Sequence, residues 1–192
     1  MLFRLATETD LPIIHALIQD YVKDGTLLPR TMESLYRSLP SLVVAVTDNQ
    51  LAGVVALHRL EERVAEVRTL TVAKGYQGQG IGQSLVQYAI NIAETAGYHK
   101  VISFTTQTEF FARCGFSIIA RDKVPTKYFL DCIHCSKLFR CDETAMERVL
   151  VASAIDYMAP VQMAKNHSKL GETHIFRFSD SMAECEAEAA QD

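Results

Sequence analysis

Gly75, Gly78, Gly80 and Gly82 fall within eight consecutive positions, out of nine glycines in the 192-residue chain. They belong to Leu70-Thr71-Val72-Ala73-Lys74-Gly75-Tyr76-Gln77-Gly78-Gln79-Gly80-Ile81-Gly82, which reads as strand, glycine-rich turn and helix start. Glycine tolerates positive φ and lets backbone amides crowd a ligand. A helix start offers N–H groups without intrahelical partners and the positive end of the helix dipole. The chemistry is anion binding, suited to a phosphate or pyrophosphate. A Walker A loop would need Gly-Lys-Ser/Thr at its end, and no lysine follows these glycines. The dinucleotide pattern Gly-x-Gly-x-x-Gly fails too, because Gly78-x-Gly80-x-Gly82 closes one residue early.

Two further sets of residues could do chemistry. In a regular strand Glu66, Arg68, Leu70 and Val72 alternate onto one sheet face, which puts a carboxylate beside an arginine at the mouth of the anion loop. The bland reading of that pair is a surface ion pair. Cys132 and Cys135 have metal-knuckle spacing, with His134 between them and Cys141 beyond. A structural zinc site takes four ligands as a rule, and a second paired knuckle is missing. Zinc, packed thiols and a redox pair all remain open there.

The elements that must position these residues follow from periodicity. Leu2 to Ala6 reads as a strand. Thr9 or Asp10 can cap a helix in which Ile13, Ile14, Leu17, Ile18, Tyr21 and Val22 recur at helical spacing. Asp24-Gly25 ends it, Leu27-Leu28-Pro29-Arg30 is a loop, and Thr31 opens a short helix to Leu39-Pro40. Leu42–Thr47, Leu51–Leu60 and Arg63–Ala73 predict three strands in an antiparallel meander. A helix from Ile81 to Ala96 buries Leu85, Val86, Ala89, Ile90 and Ala93, with Gly97 as C-cap. Strand 100–106, helix 109–114 and a final strand 116–120 follow. Beyond, Val149 to Met158 extends a helix, His174 to Phe178 is one more strand, and 179–192 is an acidic, solvated tail. The expected organisation is one domain over 1–150 and an extension over 151–192.

Bulk properties fit an enzyme better than a nucleic-acid or membrane protein. Hydrophobic residues make up 48% of the chain, enough for a sizeable core, and the formal charge is -4. A nucleic-acid binder needs a basic surface, and no apolar run approaches the roughly 20 residues of a membrane span. Met1-Leu2-Phe3-Arg4 leads into Glu8 and Asp10, so no signal peptide is expected. Five cysteines without an export signal suggest thiols and a cytoplasmic setting.

Gln77-x-x-Gly80-x-Gly82 matches Gln/Arg-x-x-Gly-x-Gly/Ala and resembles the coenzyme A pyrophosphate loop of the GCN5-related N-acetyltransferases (GNAT). Gly25-x-Leu27-Leu28-Pro29-Arg30, Ala65-Glu66-Val67-Arg68-Thr69-Leu70-Thr71-Val72 and Phe110-Phe111-Ala112-Arg113-Cys114-Gly115-Phe116 look like the amino-acid N-acetyltransferase branch, the N-acetylglutamate synthases of arginine biosynthesis. Asp131-Cys132-x-x-Cys135-x-x-x-x-x-Cys141-Asp142-Glu143 looks like its short, stand-alone bacterial forms. The likeness covers roughly residues 1–147. It implies an α/β (α+β) fold, a mixed, mostly antiparallel sheet with splayed central strands flanked by helices, and acetyl-CoA in the resulting V.

The resemblance also assigns roles. Glu66 takes the position of the general base that accepts the proton of an arriving ammonium; it should be partly buried, with its pKa raised by desolvation. Leu70, Thr71 and Val72 line the acetyl and pantetheine arm with main-chain groups, a backbone N–H near Leu70 polarising the thioester carbonyl. Gln77, Gly78, Gln79, Gly80, Ile81 and Gly82 hold the pyrophosphate. Phe111 stands where many relatives carry a tyrosine that protonates the leaving thiolate; without a hydroxyl it is a pocket wall, which leaves a hydrogen bond from Thr105 or Thr106, or protonation by bulk water. Arg30 and Arg68, with Lys127 a weaker candidate, are the clamps for substrate carboxylates. No resident metal is expected. The activity implied is acetyl transfer to an amino acid, L-glutamate first, by direct attack. The alternatives are another small amine or a non-catalytic acetyl-CoA or metal-binding regulator, and a homodimer is possible.

Overall fold

The computed structural model describes residues 1–150. Of the helix expected over Val149–Met158 only Val149 and Leu150 are described, and the strand expected at 174–178 and the acidic tail lie outside the described residues. Strands β1 (Leu2–Leu5), β2 (Leu42–Thr47), β3 (Gln50–Arg59), β4 (Val64–Val72), β5 (Lys100–Thr105), β6 (Ser117–Ile118) and β7 (Thr144–Val149) form one sheet. Their order across it is β1-β2-β3-β4-β5-β7-β6. The central β4–β5 contact is parallel. β2–β3, β3–β4, β5–β7 and β6–β7 are antiparallel. The expected mixed, mostly antiparallel sheet is therefore present.

Among the described residues five α-helices flank it: α1 (Leu11–Lys23), α2 (Met32–Ser38), α3 (Ile81–Thr95), α4 (Thr108–Arg113) and α5 (Pro125–Leu130). α3 buries the expected stripe, Leu85, Val86, Ala89, Ile90 and Ala93, together with Ile81. This stripe packs on Val43, Ala45, Val55, Ala65 and Val67 of the sheet. Each large aliphatic side chain so buried stabilises by about 1.5–3 kcal/mol before entropy is subtracted. On the opposite face Leu11, Ile14 and Ile18 of α1 and Leu35 of α2 cover Leu42, Val44, Val54 and Ala56. Ile13, expected on that stripe, is 53% exposed. The helix starts at the expected cap, Asp10, and its buried stripe runs through Leu11, Ile14 and Ile18, which leaves Ile13 turned off that face.

Leu85 of α3 sits directly over Gly53 of β3. A Cβ there would sit 2.8 Å from the Thr71 carbonyl oxygen and 2.9 Å from a Leu85 methyl, so no side chain fits without displacing main chain.

Two expectations fail. Strand 116–120 is not the last: β6 is a two-residue edge, and β7 lies between it and β5. Val149 ends β7 rather than opening a helix. α5, between them, was also unforeseen. The second failure concerns the alternation in β4. Val54 pairs with Thr71 and Ala56 with Arg68, so β3 advances two residues while β4 advances three. The extra residue is a bulge at Thr69–Leu70, with Thr69 at φ 58°. A bulge reverses the facing of everything after it. Glu66 and Arg68 share the α1 face with Thr71; Ala56, the partner of Arg68, and Val54, the partner of Thr71, lie in that core. Leu70 and Val72 instead pack toward α3.

Candidate active site

β4 pairs with β5 over Val64, Ala65 and Glu66 only. Past Glu66 the two strands separate, and a cavity of about 400 Å³ opens between them. Arg68, Thr69, Leu70, Thr71 and Val72 line it from β4, and Ser103, Phe104 and Thr105 from β5. Thr106, Gln107, Phe110, Phe111, Gln77, Gly82, Tyr21, Leu27 and Glu143 also contribute. Thr69 and Leu70 have no pairing partner on β3, so main-chain groups there are left for something in the cavity. A β-branched residue at positive φ is costly, and the cost falls where the backbone is turned toward this opening.

The coenzyme side is made of backbone. Gly78 and Gly80 have φ of 74° and 75°, and a Cβ on Gly75, Gly78 or Gly80 would meet nothing within 4 Å. Gly80 is the N-cap of α3, and no side chain caps that helix. Its first N–H groups thus have no side-chain cap, as a diphosphate site requires. Gln77–Gly80 are exposed and only Gln77 of the four lines the cavity. The Ile81 side chain is core, so its contribution to a ligand is its amide. Phe111, 5% exposed, packs edge-on against Phe110 and Phe116 and also reaches the cavity wall. The Thr105 hydroxyl accepts from the Gln107 amide at 2.9 Å, leaving its own proton free to donate.

Tyr21 joins this side from α1. Its hydroxyl donates to the Val72 carbonyl (2.6 Å) and accepts from Gln77 Nε2 (2.9 Å). Its helical spacing marked it only as part of an apolar stripe; a contact across 51 residues has no local signature.

The acceptor side is made of side chains. Glu66 is buried, and its Oε1 lies 2.6 Å from Lys127 Nζ on α5. Arg68 Nη1 lies 3.6 Å from its Oε2. Asp131 bridges the same two cations, 2.7 Å from Lys127 and 3.3 Å from Arg68. Burial works to lower the Lys127 pKa, but the Glu66 and Asp131 carboxylates outweigh it and hold it above its usual value. Burial likewise works to raise Asp131, and the hydrogen bond from Lys127 takes it below the usual range. Glu66 Oε2, Arg68 Nε and Thr71 Oγ1, all buried on one face of β4, have no hydrogen-bond partner, the condition in which a water or ligand is favoured. Glu66 does not itself line the cavity.

Arg30 comes to the same place from the loop before α2. Its guanidinium donates to the Ser34 and Ser38 hydroxyls at 2.8 Å and reaches Thr69 Oγ1 at 3.5 Å. Burial, then repulsion from Arg68, lowers its pKa. No carboxylate lies within 4 Å of it among the described residues. Two guanidiniums near one another, one without a counter-ion, form a site that gains from an anion. Lys127, Asp131 and Glu143 all come from the segment after 120, whose fold the apolar pattern did not reveal. Pro125 at a helix start followed by Lys127 was the available signal.

Cys114, Cys132, Cys135 and Cys141 are free thiols. Burial pushes Cys114 up to about 11 and raises Cys132 as well. Among the described residues no group of three or more His, Cys, Asp or Glu is placed to hold a metal ion. No described helix is long and apolar enough to cross a membrane.

Residues 13–116 match the Acetyltransferase (GNAT) family. The chain belongs to that family of acetyltransferases, whose co-substrate is acetyl-CoA. It is 31% identical over 147 residues to an uncharacterised N-acetyltransferase of Chlorobaculum tepidum, covering 77% of this chain and 95% of the other. It is 32% identical to the amino-acid acetyltransferase of Mycobacterium tuberculosis, covering 66% and 74%. N-acetylglutamate synthase from Neisseria gonorrhoeae, solved with coenzyme A and N-acetyl-glutamate, superposes with a TM-score of 0.71 at 28% identity, over 78% of this chain and 35% of that one. The open glycine loop, the uncapped α3 and the cleft beside a bulged β4 fit the coenzyme that this family uses.

Proposed function

We propose that the protein acetylates the α-amine of an acidic amino acid, L-glutamate first, using acetyl-CoA in a ternary complex, a step that would serve arginine biosynthesis. The observation that carries the reading is the pair Arg30 and Arg68 beside the bulge of β4. Gln77–Gly82 hold the diphosphate through main-chain amides, and Phe111 walls the pocket. Leu70, Thr71 and Val72 take the pantetheine arm, the unpaired Leu70 amide polarising the thioester carbonyl. Arg30 and Arg68 take the acceptor carboxylates. Glu66 draws the amine's proton through a water, since its carboxylate lies behind the cavity wall. The amine attacks the thioester carbonyl; the C–N bond forms as the C–S bond breaks, the Thr105 hydroxyl donates a hydrogen bond to the departing thiolate, and the thiolate takes its proton from solvent. The N-acetylglutamate bound to the gonococcal relative supports the choice of acceptor.

The test is thiol release from acetyl-CoA by purified protein across a panel of amino acids and small amines. Glutamate should give the highest kcat/KM, with aspartate next. A neutral or basic amine as the best acceptor, or coenzyme binding without turnover, overturns the reading.

A further inference from the structure

Glu66 is the carboxylate that sequence resemblance brings forward, yet it neither lines the cavity nor lacks cations. Asp131 likewise holds two cations. Glu143 differs on each count. It lines the cavity together with Arg68, Leu70 and Thr105, and no Lys, Arg or His nitrogen lies within 4 Å of its carboxylate among the described residues. Its main chain is fixed: the carbonyl accepts from the Arg121 guanidinium, and the next residue, Thr144, opens β7 by pairing with Thr105.

We infer that Glu143 receives the acceptor's α-ammonium, so that the cavity reads an amino acid by three charges: carboxylates at Arg30 and Arg68, the ammonium at Glu143. The inference rests on the reading of this cavity as the place where amine and thioester meet. A carboxylate withdrawn from water without a cation is poorly stabilised. Burial, opposed by Lys127 and reinforced by Glu66, raises the Glu143 pKa accordingly. An ammonium supplied by the substrate removes that deficit, and a charge-assisted hydrogen bond forms where none exists in the free protein. The contact also fixes the amine nitrogen on the open side of β4 before Glu66 draws its proton through water. Glu143 is thus a binding residue, distinct in role from the base.

The experiment compares the full chain with Glu143→Gln and Glu66→Gln, using glutamate as acceptor and glutarate, the same dicarboxylate without the amine, as a competitive inhibitor. In Glu143→Gln the glutamate KM should rise about tenfold or more, the size of one charge-assisted bond. The glutarate Ki and the acetyl-CoA KM should stay within about twofold. Glu66→Gln should do the reverse, lowering kcat with little change in glutamate KM. An unchanged glutamate KM in Glu143→Gln, or parallel rises in glutamate KM and glutarate Ki, overturns the inference. Should the wild-type protein prefer another amine, the glutamate assignment fails, and the same ratio for that amine and its des-amino analogue judges Glu143 alone. If Glu143→Gln does not fold, Glu143→Asp, which keeps the charge but shortens the reach, must raise the acceptor KM without moving the inhibitor constant.

Discussion

The two sides of the cavity are built on opposite plans. Coenzyme would be held on one by main-chain amides from a single run of chain, Gln77 to Gly82, at the start of α3. Acceptor would be held on the other by side chains from the loop before α2, β4 and the approach to β7, namely Arg30, Arg68 and Glu143, with Lys127 and Asp131 pairing Glu66 and Arg68 behind them. A backbone site depends on glycine and on helix geometry, so it tolerates changes in most neighbouring side chains. A side-chain site balances buried charges, and each member is held by the others.

The largest expected effect sharpens that contrast. Glu66→Gln should lower kcat by about 100-fold or more, with acetyl-CoA affinity measured by calorimetry nearly unchanged. A wild-type rate would remove Glu66 from the chemistry. Arg30→Ala comes next. It should raise the acceptor KM by roughly tenfold or more while the coenzyme KM barely moves; equal rises in both would merge the two sides into one. Gly80→Ala tests the other plan. A side chain at φ 75° costs about 1–2 kcal/mol of backbone strain, which should appear as an acetyl-CoA KM raised several-fold with the acceptor KM intact.

The smallest effect lies outside both sides. The hydrogen bond from Arg4 holds the Asp10 carboxyl at about 2, below its ordinary 3.8. Its stabilisation is present above the ordinary value and lost as pH falls from there toward 2. Asp10→Asn should cost about 1 kcal/mol near neutrality, and the gap between variant and wild type in thermal melts should close over that acidic window. Neither KM should change.

The same division explains what could be read from the chain. The glycine loop was legible because all its parts are contiguous and glycine is chosen for local reasons. The stripe of α3 was legible because one helix face meets one sheet face. The bulge was hidden: Thr69 is β-branched, a residue type that argues for regular strand, so Leu70 and Val72 were expected to face with Glu66. Resemblance nominated Glu66 and both arginines, but nothing local predicts that Lys127 and Asp131 meet them. α5 is one short helix without an apolar period, and β7 offers only Ala145 and Met146 as buried positions. Glu143 sits just ahead of that strand and was invisible with it.

Gly53 gives the two plans a common measure. With no side chain on Gly53, Leu85 of α3 settles directly onto β3 beside the Thr71 carbonyl of β4. The span from the amides at the helix start to the bare backbone of Thr69 and Leu70 is then set like the jaws of a calliper. A cofactor whose thioester lay nearer to its diphosphate, or farther from it, would fill one jaw and miss the other.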